Sequence, residues 1–195
     1  MARPLSLQPL ILACFAALPL AISQEAALQP IIINSAFSNI DYRTNTAVFK
    51  DIAVSQGDTH LTAERASAKG VGFTNSEWTF AGGVVIVWEP HGTLRADQVI
   101  VQFSNGEVTG GTAIGSPAYF EQQPTDADRP VRGHADRITY DAKQDTVHLY
   151  GHAQLSNGHN MEMSASVLVY SFRDERLQAE SPDEKRGIHT TITPN

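Results

Sequence analysis

The stretch from Pro130 to Leu155 constrains the fold more than any other part of the chain. Ile138 and Tyr140 alternate with Arg137, Thr139 and Asp141, and Val147, Leu149, Ala153 and Leu155 supply an apolar set on the return. The polar turn Ala142-Lys143-Gln144-Asp145 lies between them. Period-two alternation on both sides of so short a turn is the pattern of a β-hairpin. The same grammar recurs. A small residue followed by a polar one opens a strand at Ala63-Glu64, Ala96-Asp97, Ala135-Asp136 and Ala165-Ser166, at spacings of 33, 39 and 30 residues. Return strands pass through Phe49-Lys50-Asp51, Phe80-Ala81-Gly82 and Leu149-Tyr150-Gly151. A period in this range predicts a repeat with two strands per unit. One such unit cannot bury its apolar face alone, so neighbours must stack to make a core. No segment holds a helical period over ten or more residues, and many short, evenly spaced strands mean an all-β sandwich, roll or barrel.

Residues 1–23 differ from the rest. Arg3 is their one charge, Leu10 to Ile22 is apolar, and Ala21-Ile22-Ser23 has the small residues of a cleavage site before Gln24. This predicts a cleaved secretory signal, with residues 24–195 forming one domain. The alternatives are an uncleaved anchor, although the run is short for a span and contains Pro19, and a lipoprotein signal ending at Cys14. Cys14 is the single cysteine and leaves with the signal, so the exported chain has no disulfide or cysteine metal site. Removing 23 residues leaves 172, enough for a core, and losing Arg3 leaves 13 basic against 21 acidic residues, a net charge of −8. That balance argues against nucleic acid as a partner.

Along the remaining chain, Gln24 to Gln29 reads as a tail and Pro30 to Ile33 as an edge strand. Ser38 to Tyr42 starts the next unit, with turns expected at Arg43 to Thr46 and Gln56 to Asp58. In Ala47 to Ser55 either Phe49 and Ala53 or Val48, Ile52 and Val54 face inward. Gly82-Gly83 allows a bulge within a strand holding Trp78, Phe80, Val84, Ile86 and Trp88. The inward set shifts from Leu94 and Ala96 to Val99, Val101 and Phe103, which implies another bulge. Pro90 to Gly92, Ser104 to Gly106 and Asn157-Gly158 read as turns, Gly110 to Gly115 as a loop, and Gln122 to Arg129 as a hairpin tip. Ala118 and Phe120 open a further strand, and Ile188, Thr190 and Ile192 alternate in a last one.

Nothing here predicts catalysis, a cofactor or a metal. His148 and His152, four apart on a strand, would be about 13 Å apart, too far to share an ion. His134 and Asp136 read as a surface pair, and Gly110 to Gly115 lacks the lysine of a phosphate loop. The informative feature is the apolar set: Phe49, Phe80, Val84, Ile86, Trp88, Leu94, Val101, Phe103, Phe120, Ile138, Tyr140, Leu149, Leu155, Met163, Leu168 and Tyr170. It is either an ordinary closed core or, if the sheets splay along one edge, the lining of an accessible apolar groove with Met161 and Met163 as an adaptable wall. Arg132, Arg137, Lys185 and Arg186 are nearby basic candidates to assist binding, with charged surface as their default reading. Ile31, Ile32 and Ile33 at one edge, and Ile188, Thr190 and Ile192 at the other, carry no lysine to protect the edge and read as docking surfaces.

The chain resembles the periplasmic lipopolysaccharide-transport proteins of the LptA/OstA-like family. The resemblance lies in Pro30 to Ile33 with Ser35, Gly115 to Phe120, Pro130 to Ala135 through Tyr140, Leu149 to Ala153, and Arg186 to Pro194. It departs at Ala36-Phe37, where the family often has a small-acidic pair, and at the glycine-rich Gly70 to Asn75. The resemblance implies a repetitive, slightly twisted, V-shaped β-jelly roll of antiparallel strands in the periplasm. It implies lipopolysaccharide as ligand through its lipid A acyl chains, and no enzymatic activity. The implied partners are an LptC-like inner-membrane component, an LptD-like outer-membrane component and further copies in a head-to-tail oligomer. Two other readings stay open: a membrane-tethered component of the same system, and a self-assembling structural or adaptor repeat protein without ligand.

Overall fold

The computed structural model describes residues 30–72, 74–88, 92–123, 130–171, 173–174, 176–181 and 187–194. The expected signal sequence, the Gln24 to Gln29 tail, Pro90-His91, most of the Gln122 to Arg129 tip, Lys185 and Arg186 lie outside the described residues. The rest is all-β. Eleven strands run β1 (Ile32–Asp41), β2 (Thr46–Gln56), β3 (Thr59–Lys69), β4 (Asn75–Trp88), β5 (Gly92–Ser104), β6 (Glu107–Gln122), β7 (Val131–Asp141), β8 (Thr146–Ser156), β9 (Met161–Ser171), β10 (Arg176–Glu180) and β11 (His189–Ile192). They form one antiparallel sheet in chain order from β1 to β10. β10 pairs the second half of β9, and β11 pairs its first half through Ile192 opposite Met161 and His189 opposite Ser164.

One sheet acquires an interior because its strands bend along a common line. The register shifts where β4 inserts Gly82-Gly83, where β6 inserts Gly115-Ser116-Pro117 with a cis Ser116–Pro117 bond, and where β8 inserts Gly151-His152. The neighbouring odd strands carry Ala63-Glu64, Ala96-Asp97, Ala135-Asp136 and Ala165-Ser166 at the same level. The recurrent alanine pairs of the sequence are therefore the crease of the sheet. Ala63, Ala96, Ala118, Ala135 and Ala153 are all buried there, since only small side chains fit where the two arms converge. The glycines are fixed by conformation and by space. Gly82 has φ +85° and Gly151 φ +73°, and a Cβ on either would collide with the side chain of Glu64 or Asp136 respectively.

The bend also resolves the ambiguity in β2. Asp51 has φ +50°, and on passing it the buried set changes from Ala47 and Phe49 to Ile52 and Val54. In β5 a register irregularity between Arg95 and Gln98 switches the inward set from Ala96 to Val99. The arms then face each other: a Cβ on Gly133, in one arm, would sit 3.0 Å from Leu149 Cδ2 in the other and would strike the Phe120 ring. The turns follow their local chemistry. Asn105 and Gly106 have φ +53° and +83° as a two-residue hairpin requires, and Asn157 Oδ1 accepts from the backbone N–H of His159, Asn160 and Met161.

Two expectations are corrected. Gly110 to Gly115 is not a loop but the middle of β6, paired with β5 and β7 on both sides, and Ala118 and Phe120 continue that strand. Pro30 to Ile33 and Ser38 to Tyr42 are not separate units, because β1 runs unbroken against β2.

Candidate functional site

Between the arms lies a partly open cavity of about 560 Å³. From the arm carrying the β3–β4, β5–β6 and β7–β8 turns it is lined by Trp78, Phe80, Val99, Val101, Phe103, Val108, Gly111, Ala113, Ile138, Tyr140 and Val147. The facing arm contributes Ile31, Val54, Leu61, Ile86, Trp88, Leu94 and Phe120. Polar groups sit at its margins: Gln56, Thr59, Thr112, Gln122 and Asp145, the last being the one charged residue of the lining. Among the described residues no group of three or more His, Cys, Asp or Glu could hold a metal.

The strand period places this lining. Trp78, Val101, Gly111, Tyr140 and Val147 are cross-strand neighbours in one inward row, and Phe80, Val99, Ala113, Ile138 and Leu149 form the next. Phe49 stacks on Trp78 at 5.6 Å and Trp78 on Phe80 at 6.1 Å, so the wall at that end is rigid and aromatic. Tyr140 stands at the lip, its hydroxyl donating to Asp145 Oδ1 at 3.3 Å. Burial, and then the Asp145 carboxylate, push its phenol pKa above the usual value, so it remains a neutral donor.

The structure divides the sixteen residues expected to line a groove. Phe80, Ile86, Trp88, Leu94, Val101, Phe103, Phe120, Ile138 and Tyr140 reach the cavity. Val84, Leu149, Leu155 and Leu168 are among the most buried side chains of the molecule and pack where the arms touch. Phe49 and Tyr170 are buried at the flanks, and Met163 packs against the core from β9. Sequence reasoning left out Trp78, Val99, Leu61, Val54 and Val147. Trp78 shares the parity of Phe80, which is a signal present in the sequence. Val54 becomes inward because the parity of β2 changes at Asp51, and Leu61 because that of β3 changes between Ala63 and Ala66.

The two basic candidates among the described residues, Arg132 and Arg137, are otherwise engaged. Arg132 donates Nε–H to Glu121 Oε2 at 2.8 Å, and the Tyr119 hydroxyl donates to the same oxygen at 3.0 Å. That Arg132 bond holds the Glu121 carboxyl below its ordinary value. The Arg137 guanidinium lies 4.7 Å from the centre of the Tyr150 ring, on the outer face. Asp136, on the outer face with His134, makes its close contact with His152, which the bulge in β8 brings to within 2.9 Å, Nδ1 to Asp136 Oδ2. His148 stacks on Tyr150. At the edges, Ile32 is 54% exposed, Ile188 50% and Ile192 66%, while Ile31 lines the cavity and Ile33 packs on the core. Thr190 is opposite Met163 and so continues the inner face.

Fold and site together define a class, a one-sheet antiparallel β-roll bent around an apolar, ligand-sized cavity. Residues 68–176, which contain β4 to β9, match the family described as LptA/(LptD N-terminal domain) LPS transport protein, and the chain belongs to that family. It is 33% identical over 122 residues to the lipopolysaccharide export system protein LptA of Escherichia coli K12, covering 60% of this chain and 62% of that one. The corresponding Haemophilus influenzae protein is 27% identical over 120 residues, covering 60% and 67%. The chain thus spans less than two thirds of the E. coli relative's length. A solved structure of LptH, the LptA-homologous periplasmic component of the lipopolysaccharide transport device of Pseudomonas aeruginosa, matches with TM-score 0.46 and 20% identity over 85% of this chain and 96% of that one.

Proposed function

We propose that the protein is a periplasmic, non-enzymatic lipopolysaccharide carrier that bridges an inner-membrane transporter complex and an outer-membrane translocon. Residues 1–23 act as a cleaved export signal. The acyl chains lie between the arms, and the sugar-phosphate head stays in solvent. One observation carries this reading: a cavity of about 560 Å³ whose lining is almost wholly apolar and holds a single charged residue, Asp145. Its size falls in the range of roughly 300–1,000 Å³ usual for ligand sites. Each buried acyl methylene contributes about 0.8 kcal/mol, so ten give about 8 kcal/mol before the losses of association. Such binding needs no cationic pocket, which fits an acidic chain.

The bridge is formed by end-to-end docking of sheet edges. The outer edge of β1 is one surface, and the edge completed by β10 and β11 is the other. A contact between unlike edges does not close and extends into a filament aligned with the LptC-like and LptD-like partners. The test is equilibrium binding of lipopolysaccharide to the purified protein, read as co-migration on gel filtration. Wild type co-migrates, and Val101→Asp, which puts a carboxylate in the lining, does not while keeping its far-ultraviolet strand spectrum. Absence of wild-type co-migration removes the carrier reading and favours the ligand-free structural protein.

A further inference from the structure

Gly111 is an anomaly in β6. Its nearest neighbours in the inward row are larger apolar side chains, Trp78 and Val101 on one side and Tyr140, Val147 and Tyr170 on the other, while the small Ala68 and Ala47 lie further along the row. A glycine inside a strand leaves a gap in the face and weakens the strand, so it needs a reason. A register irregularity adjoins it, where Gln102 faces Gly110 and Phe103 faces Val108, but neither conformation nor crowding requires glycine at position 111 itself. Gly111 is not among the residues of positive φ, so its backbone does not demand glycine. Nor is it crowded: a Cβ built there would meet nothing nearer than the Ile100 carbonyl oxygen at 3.4 Å, an ordinary contact. Gly133 makes the contrast, since its missing side chain is replaced by the ring of Phe120. At Gly111 no neighbouring side chain moves into the space, and the residue lines the cavity instead. The adjoining inward position, Ala113, is likewise small between Val99 and Ile138 and also lines the cavity.

We infer that Gly111 sets the bore of the cavity, and that a lipid alkyl chain crosses β6 there, against the exposed peptide, between Val101 and Tyr140. This rests on the carrier reading and adds the residue that determines what fits. The chemistry agrees with the shape. A methylene chain is slim enough to lie in the gap left by one missing side chain, asks for no hydrogen bond, and gains from apolar walls on both sides. Where the fold has no use for the glycine, a close-lying ligand explains it.

The experiment uses the purified protein, fluorescein-labelled lipopolysaccharide as the probe, and three variants. Gly111→Val fills the gap, Gly111→Ala half-fills it, and Thr139→Val changes a residue of the neighbouring strand outside the lining. The expected result is at least tenfold weaker binding for Gly111→Val, a smaller loss for Gly111→Ala and no change for Thr139→Val. Tm should be unchanged or raised by about 1–4 °C, because a β-branched residue suits a strand better than glycine. If Gly111→Val binds as wild type does, the inference is overturned and the carrier reading stands. If Gly111→Val and Gly111→Ala both lower Tm, the glycine serves the fold and the inference is equally overturned. If wild type itself does not bind, the carrier reading has failed and the inference falls with it.

Discussion

Replacing Gly82 by alanine tests whether the crease makes the fold. Gly82 has φ +85°, a conformation that costs an L-residue about 1–2 kcal/mol. The new Cβ would also stand 2.8 Å from Glu64 Cβ and closer still to its carboxylate. The carboxylate can swing away, because the Glu64 side chain is 66% exposed, but its Cβ is held by the backbone. Displacing it adds about 1 kcal/mol, the low end for overpacking. The total is about 2–3 kcal/mol, or a Tm lower by roughly 5–10 °C in a chain of this size. Gly83 provides the internal control. Its φ is +53°, which asparagine adopts readily, and nothing lies within 4 Å of a Cβ there. Gly83→Asn should cost less than about 1 kcal/mol. The assay is reversible urea unfolding followed by far-ultraviolet spectroscopy. A Gly82→Ala loss no greater than that of Gly83→Asn would refute the idea that the facing acidic side chain takes the space vacated at the crease.

Other consequences of the account can be measured alongside. Leu149→Ala removes a fully buried side chain from the contact between the arms and should cost about 2–5 kcal/mol in urea unfolding, with loss of strand signal at a lower midpoint. Glu121 has a depressed pKa, chiefly through Arg132, so its pairing stabilises the fold above the ordinary carboxylate range and is lost as pH falls through the folded value. Both side chains are more than one third exposed, so Arg132→Gln should lower stability only slightly at pH 7, and wild type and variant should converge as pH falls through the lowered Glu121 value. Deleting residues 186–195 removes β11 and bares the first half of β9. The truncated protein should still bind lipopolysaccharide, but light scattering should no longer show particles that lengthen with concentration.

The repeat, the strand parity and the hairpin turns were legible because they are local: alternation, Asn-Gly pairs and polar turns act over a few residues. Even the crease left a mark in the alanine-acid pairs, although its meaning required the partner strand. The pair Ala135-Asp136 reads as a strand opening until Gly151-His152 is seen opposite it, where Asp136 fills the space and binds His152. What the sequence hid depends on the bend. Each alternate set of β2 proved inward only in part, Phe49 before Asp51 and Ile52 with Val54 after it, while Val48 is exposed, which no single parity can express. Gly110 to Gly115 looked like a loop because glycine is read as a breaker, whereas pairing on both sides holds it as a strand. The candidate groove was half legible for the same reason. Parity identifies inward residues, but only the angle between the arms separates Phe103, which lines open space, from Leu168, which packs solid.

The central claim is that lipid A acyl chains occupy the space between the arms. It is tested most directly by placing a photo-crosslinking amino acid at Phe103 and Tyr140, which line the cavity, and at Ile114, which is exposed and absent from the lining. After irradiation with lipopolysaccharide and digestion, mass spectrometry reads where on the lipid each site attaches. The account predicts adducts on acyl carbons at Phe103 and Tyr140 and none at Ile114. Equal labelling at all three sites, or attachment only to the sugar-phosphate head, would contradict it.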